Sequence, residues 1–504
     1  MQAKNRLLKF TCMALLLGGL LAGCASGSGN ASKETASPAS PASPGSSSVQ
    51  SDAADKKEDV TITMWMRWPE FADLNKQVIA KFEEKYPYIH VENTEVSSSN
   101  YLAQLQAAVT GEELPDLFAM HSSLKLYQLH ELGAVHPIND VIGDRKNDFE
   151  AGIWSQGMSM MGDEIYAFPI TTNHRDAYMM YYNLDVLKRA GLSEQDVPRS
   201  WEDLLKTGKL VEEKTGGKSY GVLFGMGEKW FVNNTIAQMG SAISPEILPD
   251  SHMDPLTGKY LYESQGYVET IEYIKKLSDE KILHPNSLII KGAEANQLFA
   301  GGEAAFLIAG LWEIPQFNKD GFQSFGVAPL PTKEGKPMYS EVTGSPKSAL
   351  YVNQKTKHYE EVSLFLKFMM DEYYKGMVES GLNFSPIPAI NQSVSIPDAK
   401  IQQGLEIQDK QYVYTPHPFS KNLNTIQVYE AMSGKGPSET QASVLEGYLV
   451  GEITDVRAAL QKISDQYNAV LTQAISDLQG KGVKVDPSDW IFENWKPFES
   501  YKPQ

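Results

Sequence analysis

The stretch VTITMWMRWPEFADLNKQVIAKFEEKYPYIHV, residues 60–91, carries the decision about fold. Val60 to Trp65 alternates apolar and polar side chains and is rich in β-branched residues, which reads as a strand. Met66 to Glu70 reads as a loop. Phe71, Leu74, Val78, Ile79 and Phe82 then follow helical spacing, and the helix must stop before Tyr86-Pro87, because proline drives the residue before it out of the helical region. Ile89 to Val91 begins a second strand. Further along, Tyr101 to Val109 (YLAQLQAAV) reads as a helix broken at Gly111, and Pro115 to Met120 as a short apolar strand that ends in His121-Ser122-Ser123.

Strand, helix, strand, helix predicts an α/β sheet, mostly parallel and covered by helices, with ligands bound beyond the carboxyl ends of the strands. The loops after Trp65 and Met120 are therefore the first places to look for a site. The same alternation continues. Tyr178 to Tyr182 (YMMYY) reads as an apolar strand, and Asn183 to Gly191 as a helix closed by a glycine cap. Ser200 caps a helix whose first turn carries Glu202 and Asp203 at the positive end of its dipole. Tyr267–Ile282, Val362–Met370 and Ala458–Leu478 read as amphipathic helices. About 440 residues from Val60 onward, 10% of the whole chain being aromatic, are enough for two lobes.

Upstream, Lys4, Arg6 and Lys9 precede an apolar run from Phe10 to Ala22 that ends in Leu21-Ala22-Gly23-Cys24. The run is too short to span a bilayer, which needs about 20 apolar residues, and reads as a lipoprotein export signal, 1–23, with Cys24 as the lipidated first mature residue. Residues 24–57, rich in Ser, Ala and Pro, read as a disordered tether with a reach of order 30 Å. The expected location is extracytoplasmic, anchored to the cell membrane. Cys12 lies in the removed segment, so the mature chain offers no thiol for a disulfide, a zinc site or a nucleophile. Loss of three cationic residues takes the formal net charge from −18 to −21, which disfavours nucleic acid as a partner.

Four blocks resemble the solute-binding proteins of bacterial ABC importers, in the carbohydrate-type, maltose-binding-protein-like group. They are Val60–Val91; Gly162-Asp-Glu-Ile-Tyr-Ala-Phe-Pro169 through Tyr181-Tyr-Asn183 to Pro198-Arg-Ser-Trp201-Glu202; Leu298-Phe-Ala-Gly-Gly302 through Phe306 to Gly310-Leu-Trp312; and Phe325-Gly-Val-Ala-Pro-Leu-Pro331 with Gly344-Ser345 after it. The resemblance implies a type II periplasmic-binding-protein-like fold of two α/β lobes, 58–169 with 343–385 and 170–342 with 386–504. The chain would cross a hinge near Pro169–Thr172, near Glu341–Ser345 and after Phe384. It also implies a monomer that closes on a small solute, here a saccharide, and presents it to the membrane permease without a cofactor or metal.

A sugar offers apolar C–H faces and a rim of hydroxyls, so its site needs flat aromatic platforms with fixed donors and acceptors. Trp65 and Trp68, at the end of the first strand, are candidates beside Arg67, though either indole could pack the lobe. Trp312 matches the family residue that lies under a bound sugar ring. Trp230, after Gly225-Met-Gly227, is a further candidate or else a loop aromatic that caps the core. His121 and Ser122 fall where the family places polar ligand contacts. Asn173, His174, Arg175 and Asp176 follow the first crossing and serve either the solute or the hinge. Gly344, and His417 and Phe419 in Tyr414-Thr-Pro-His-Pro-Phe419, complete the set. Trp201, one residue past a helix cap, reads as core.

Enzyme patterns are weak. Gly217-Lys-Ser-Tyr-Gly221 fits G-x-S-x-G, but a helix precedes it and a strand follows, the reverse of a nucleophile elbow. The same Gly-Lys-Ser lacks the first P-loop glycine, since residue 212 is glutamate, and His130-Glu131 lacks the second zincin histidine, since residue 134 is alanine. Asp250–Lys259 departs from EF-hand spacing and reads as a turn. A lipid-anchored glycoside hydrolase, with two carboxylates across a cleft, is the main alternative; a binding protein for a non-sugar solute and an adhesin or sensor accessory are others.

Overall fold

Strand Val60–Met66 buries Ile62, Met64 and Met66 on one face and pairs in parallel with Ile89–Glu95 on one side and Leu117–Ala119 on the other. These belong to a computed structural model that describes residues 58–501 except Arg175, Asp176, Ser345 and Pro397. The export signal, Cys24 and the tether lie outside the described residues. The helix after the strand runs Ala72–Lys85 and ends on Tyr86, held extended by the following proline at φ −127°. Its Phe82 sits edge-on to Phe365 and Phe368, ring centroids 5.0 and 5.4 Å away, so helix Tyr359–Glu379 covers the same face of the sheet.

The first sheet runs Ile89–Glu95, Val60–Met66, Leu117–Ala119, Ala349–Asn353, Val135–His136, with Phe168–Pro169 also on Ala349–Asn353. The second runs Phe325–Pro329, Tyr178–Asn183, Ala304–Gly310, Tyr220–Phe224. Strand Tyr178–Asn183 is buried along its whole length, with Tyr178, Met180 and Tyr182 in one core and Met179 and Tyr181 in another. Such a continuous apolar strand needs helices on both faces. The first sheet has its own core, built from 62–170 and 349–387.

One expectation needs correction: the sheets are mixed rather than mostly parallel. Ala349–Asn353 runs antiparallel to its three neighbours, and Tyr178–Asn183 is antiparallel to both of its own. The reason is the route of the chain. A parallel neighbour normally follows a packed crossover helix, but these two strands enter their sheets directly from segments that arrive from the other sheet.

Those segments lie together. Ile170 N donates to Ser348 O at 3.0 Å and Thr172 N to Phe384 O at 3.0 Å, while the Thr171 hydroxyl meets that of Ser348 at 3.1 Å. Three stretches expected to cross between lobes thus run side by side, and Tyr374 OH fastens them to the first core by donating to Pro169 O.

In the second half, helices Lys229–Ser241 and Gln265–Asp279 touch through glycine. A Cβ on Gly266 would stand 2.2 Å from Gly240 O, which is backbone and cannot rotate away. Gly266→Ala is expected to lower stability by about 1–3 kcal/mol, read as a lower urea midpoint at unchanged m; an unchanged midpoint would mean that the helices slide apart freely.

Candidate functional site

Two indoles meet beyond the end of strand Ala304–Gly310. The Trp312 ring folds back over Gly310 so closely that a Cβ there would lie 2.1 Å from its Cζ3; glycine at 310 is what admits the ring. Tyr178 meets Trp312 edge-on at 6.0 Å, and Phe231 meets Tyr178 edge-on at 4.8 Å. Trp230, on the first turn of helix Lys229–Ser241, stands 6.3 Å from Trp312 with its plane tilted by 42°. Trp312 is partly buried against the core, but Trp230 is 51% exposed. A half-exposed tryptophan propped on a packed one is a platform whose outer faces have yet to be covered.

Beneath it lies Glu313, 8% exposed. Asn296 Nδ2, from helix Gly292–Ala300, donates to its carboxyl. Burial pushes the carboxyl up to about 7, the neighbouring N–H groups of Asn296 and Trp312 pull it back, and the nearby charges of Glu70 and Glu228 add to the rise. Glu70 belongs to the Pro69–Phe71 turn after the first strand, so the end of that strand faces the Trp312 loop. Asp73 and Lys319 pair at 3.8 Å along the same seam; both are exposed, and the pair adds little energy.

On the first sheet, Arg67 Nε donates to Met120 O at 2.7 Å while its guanidinium covers the Trp68 ring at 4.5 Å. His121 stacks on Tyr101 at 6.4 Å and accepts from Ser123 N through Nδ1 at 3.1 Å. Burial first, then the charges of Arg67 and Lys125, hold its pKa below the usual histidine range. Ser122 is exposed in the turn. Arg67, Trp68 and His121 are thereby gathered around Met120, although Trp68 is a core side chain. Trp65 lies near the end of strand Val60–Met66, as expected, and is half-buried against the first core.

At the crossings, Asn173 is fully buried and its backbone N donates to Glu150 Oε1 at 2.5 Å. Both atoms of its side-chain amide lack a partner among the described residues, a costly arrangement that a polar ligand or water would relieve. His174 pairs through Nδ1 with Asp409 at 2.7 Å and stacks on Tyr412 at 4.9 Å. Arg175 and Asp176 lie outside the described residues. Gly344, at φ 81°, packs where a Cβ would stand 2.6 Å from that of Ser155. His417 Nδ1 caps the turn at Phe419 N, 3.3 Å away, and burial drives its pKa down to about 3. Phe419 is buried with Tyr127, Met158 and Ile426. The contacts of Gly344, His417 and Phe419 are thus packing contacts, separate from those of the indole pair.

A sequence profile describing bacterial extracellular solute-binding proteins matches residues 68–374. The chain belongs to that family. A multiple sugar-binding protein of Streptococcus mutans is 26% identical over 64% of this chain and 76% of its own. An sn-glycerol-3-phosphate-binding periplasmic protein of Agrobacterium fabrum is 21% identical over 73% and 82%. The GacH receptor of Streptomyces glaucescens, solved unliganded and with acarbose, superposes at a TM-score of 0.63 with 18% identity, over 82% of this chain and 99% of that one. At such identity the likeness speaks for the fold, the two-lobed type II architecture.

In this solute-binding protein the residues of the enzyme-like patterns have structural work. Ser219 is 1% exposed and its hydroxyl donates to Gly302 O at 2.7 Å. Asp254 closes a hairpin turn by accepting from Leu256 N at 2.9 Å and the Thr257 hydroxyl at 2.8 Å. The sequence reading passed over Tyr178, Asn296 and Glu313. Only Glu313, adjacent to Trp312 in the chain, carried a signal that could have been used.

Proposed function

We propose that this protein is a lipid-anchored extracytoplasmic receptor that takes a sugar or oligosaccharide into the seam between its two sheets and delivers it to an ABC permease. The observation that carries the reading is the Trp230–Trp312 pair, an aromatic platform left half-open beside the seam. Arg67, Trp68 and His121 on the first lobe and Asn173 at the crossing are the proposed polar and aromatic partners, with Trp65 and Ser122 at the margin. The proposed lobes are 58–169 with 343–385 and 170–342 with 386–504. The adjacency of Ile170, Ser348 and Phe384 supports a three-stranded hinge. A solute bridging the lobes favours the closed state by its extra affinity for it, and the closed state docks on the permease. Lipidation at Cys24 would raise the local concentration of receptor at the permease.

Among the relatives, names speak of sugars and of sn-glycerol 3-phosphate. The carboxyls of Glu70, Glu228 and Glu313 near the platform favour a neutral polyhydroxyl solute, whose hydroxyls donate to carboxylates, over a phosphate dianion that they repel. A thermal-shift screen of saccharides tests the reading: a true solute at 100 times its Kd is expected to add about 2.7 kcal/mol of stability. Stabilisation by glycerol 3-phosphate with none by any saccharide would move the reading to a phosphorylated solute. Sustained release of products from an oligosaccharide over many turnovers would replace it with a glycoside hydrolase.

A further inference from the structure

We propose that the segment from Gly152 to Gly157 is a seat on which the two lobes meet before any solute is bound: it receives the rings of Tyr414 and Phe419, and this contact sets how far apart the lobes stand. The proposal rests on the division into lobes made above and is independent of what the solute is.

The two largest buried clusters each keep to one lobe, with Ile387 at the boundary. A smaller one does not. Tyr127 and Met158 come to it from the first lobe and Phe419 and Ile426 from the second, none more than 8% exposed. Tyr127 meets Phe419 edge-on, with centroids 5.8 Å apart. Each side is anchored in its own lobe. Helix Leu126–Glu131 sends Leu126 and Leu129 into the first core, and helix Thr425–Met432, which carries Ile426, sends Val428 and Met432 into the second.

The fit depends on missing side chains. A Cβ on Gly157 would stand 2.6 Å from Phe419 Cδ2 and 3.0 Å from Ile426 Cδ1, and one on Gly152 would stand 2.5 Å from Tyr414 Cε1. The receiving segment is held by its own bonds: Gly157 N donates to Met160 O at 2.7 Å, Ser155 N to Ser159 Oγ at 2.8 Å, and Ser159 Oγ to Ile153 O at 2.7 Å. Opposite, Lys421 Nζ donates to Ser488 O at 2.7 Å and Asn422 Nδ2 to Lys484 O at 2.9 Å, which ties the turn bearing Phe419 to the second lobe. Close-packed groups on two braced supports act as a stop rather than as a soft contact.

The seat lies beside the second crossing, because Gly344 packs on Ser155. So close to the pivot, a displacement of one methyl group swings the far ends of the lobes through a larger arc. Asp73 and Lys319 pair across the solute seam in the same arrangement, so the stop also governs the width of the seam. A receptor held in one arrangement loses less affinity to incompetent members of its ensemble. Residues that the solute never touches thereby enter its affinity.

Spin labels on Glu84→Cys and Lys462→Cys, one exposed position on each lobe, test this by pulsed electron resonance without solute, in a chain that carries Cys12→Ser and Cys24→Ser so that no other thiol is present. The wild-type background is expected to give one narrow distance population. Gly157→Ala should displace it and Phe419→Ala should broaden it. The two changes together should displace it no further than Phe419→Ala alone, since the added methyl then has room. Gly162→Ala is the control, because its φ of 62° imposes the same left-handed strain with nothing within 4 Å; its distribution should match wild type. Unchanged distributions in both Gly157→Ala and Phe419→Ala, or an equal displacement in Gly162→Ala, overturn the proposal. Several separate populations in the wild-type background overturn it as well, which decides the matter even where a variant does not fold. No saccharide enters these measurements, so the saccharide screen can fail while the seat stands, and the reverse.

Discussion

Replacing Trp312 with alanine is expected to weaken saccharide binding by roughly 5- to 30-fold, about 1–2 kcal/mol, while the protein stays folded. The estimate follows from area. An indole buries about 200 Å² in all, and Trp312 is partly covered already by Tyr178 and the core. At most about a third of the ring surface remains for a solute, and about 70 Å² at 25 cal/mol per Å² comes to about 1.7 kcal/mol. The loss falls on affinity because that face is packed only when the solute is bound. Titration calorimetry with the saccharide found by the thermal-shift screen supplies the measurement. Affinity within threefold of wild type would remove Trp312 from the site and leave Trp230, half-exposed beside it, without its proposed purpose.

The elements were legible wherever one residue decides a local question. Asn183 and Ser200, read as a helix start and an N-cap, accept from Val186 N and Asp203 N. Tyr86-Pro87 ends its helix as expected, and the run of large apolar residues from Tyr178 announces a strand covered on both faces. Strand direction was not legible. Whether Tyr178–Asn183 runs with or against its neighbours depends on how the chain arrives from the other sheet, which no window of residues encodes.

The site was legible in a similarly uneven way. A tryptophan near the end of an apolar strand has the same sequence signature whichever face it takes. Trp65 stays inside its strand, Trp68 turns into the core, and Trp312 alone is folded back beside an open neighbour; the contact of its ring with Gly310 could be anticipated from the glycine, but its direction could not. Glu313 was missed for a physical reason. An acidic residue is exposed by default, and its burial depends on Asn296, a residue on a different helix that sequence spacing does not connect to it.

Trp201→Ala is expected to lower stability by about 3–5 kcal/mol and to leave solute affinity within about twofold. Trp201 is 8% exposed. Its ring stacks on Tyr273 with centroids 4.3 Å apart and planes 7° from parallel. Its Nε1 donates to Pro331 O at 3.1 Å, and Tyr273 OH returns a bond to Trp201 O at 3.0 Å. Truncation therefore removes a large apolar face, leaves a buried carbonyl without its donor, and opens space beside an apolar gap already bordered by Leu204, Tyr273 and Pro331. Collapse around such a hole is limited, because Ser200 and Asp203 hold the start of the helix in a reciprocal cap. Urea unfolding measures the stability and calorimetry in the absence of urea the affinity. A variant that keeps its urea midpoint but loses affinity would mean that Trp201 and Trp312 have the opposite roles, and that the solute is held at the far side of the second sheet's core.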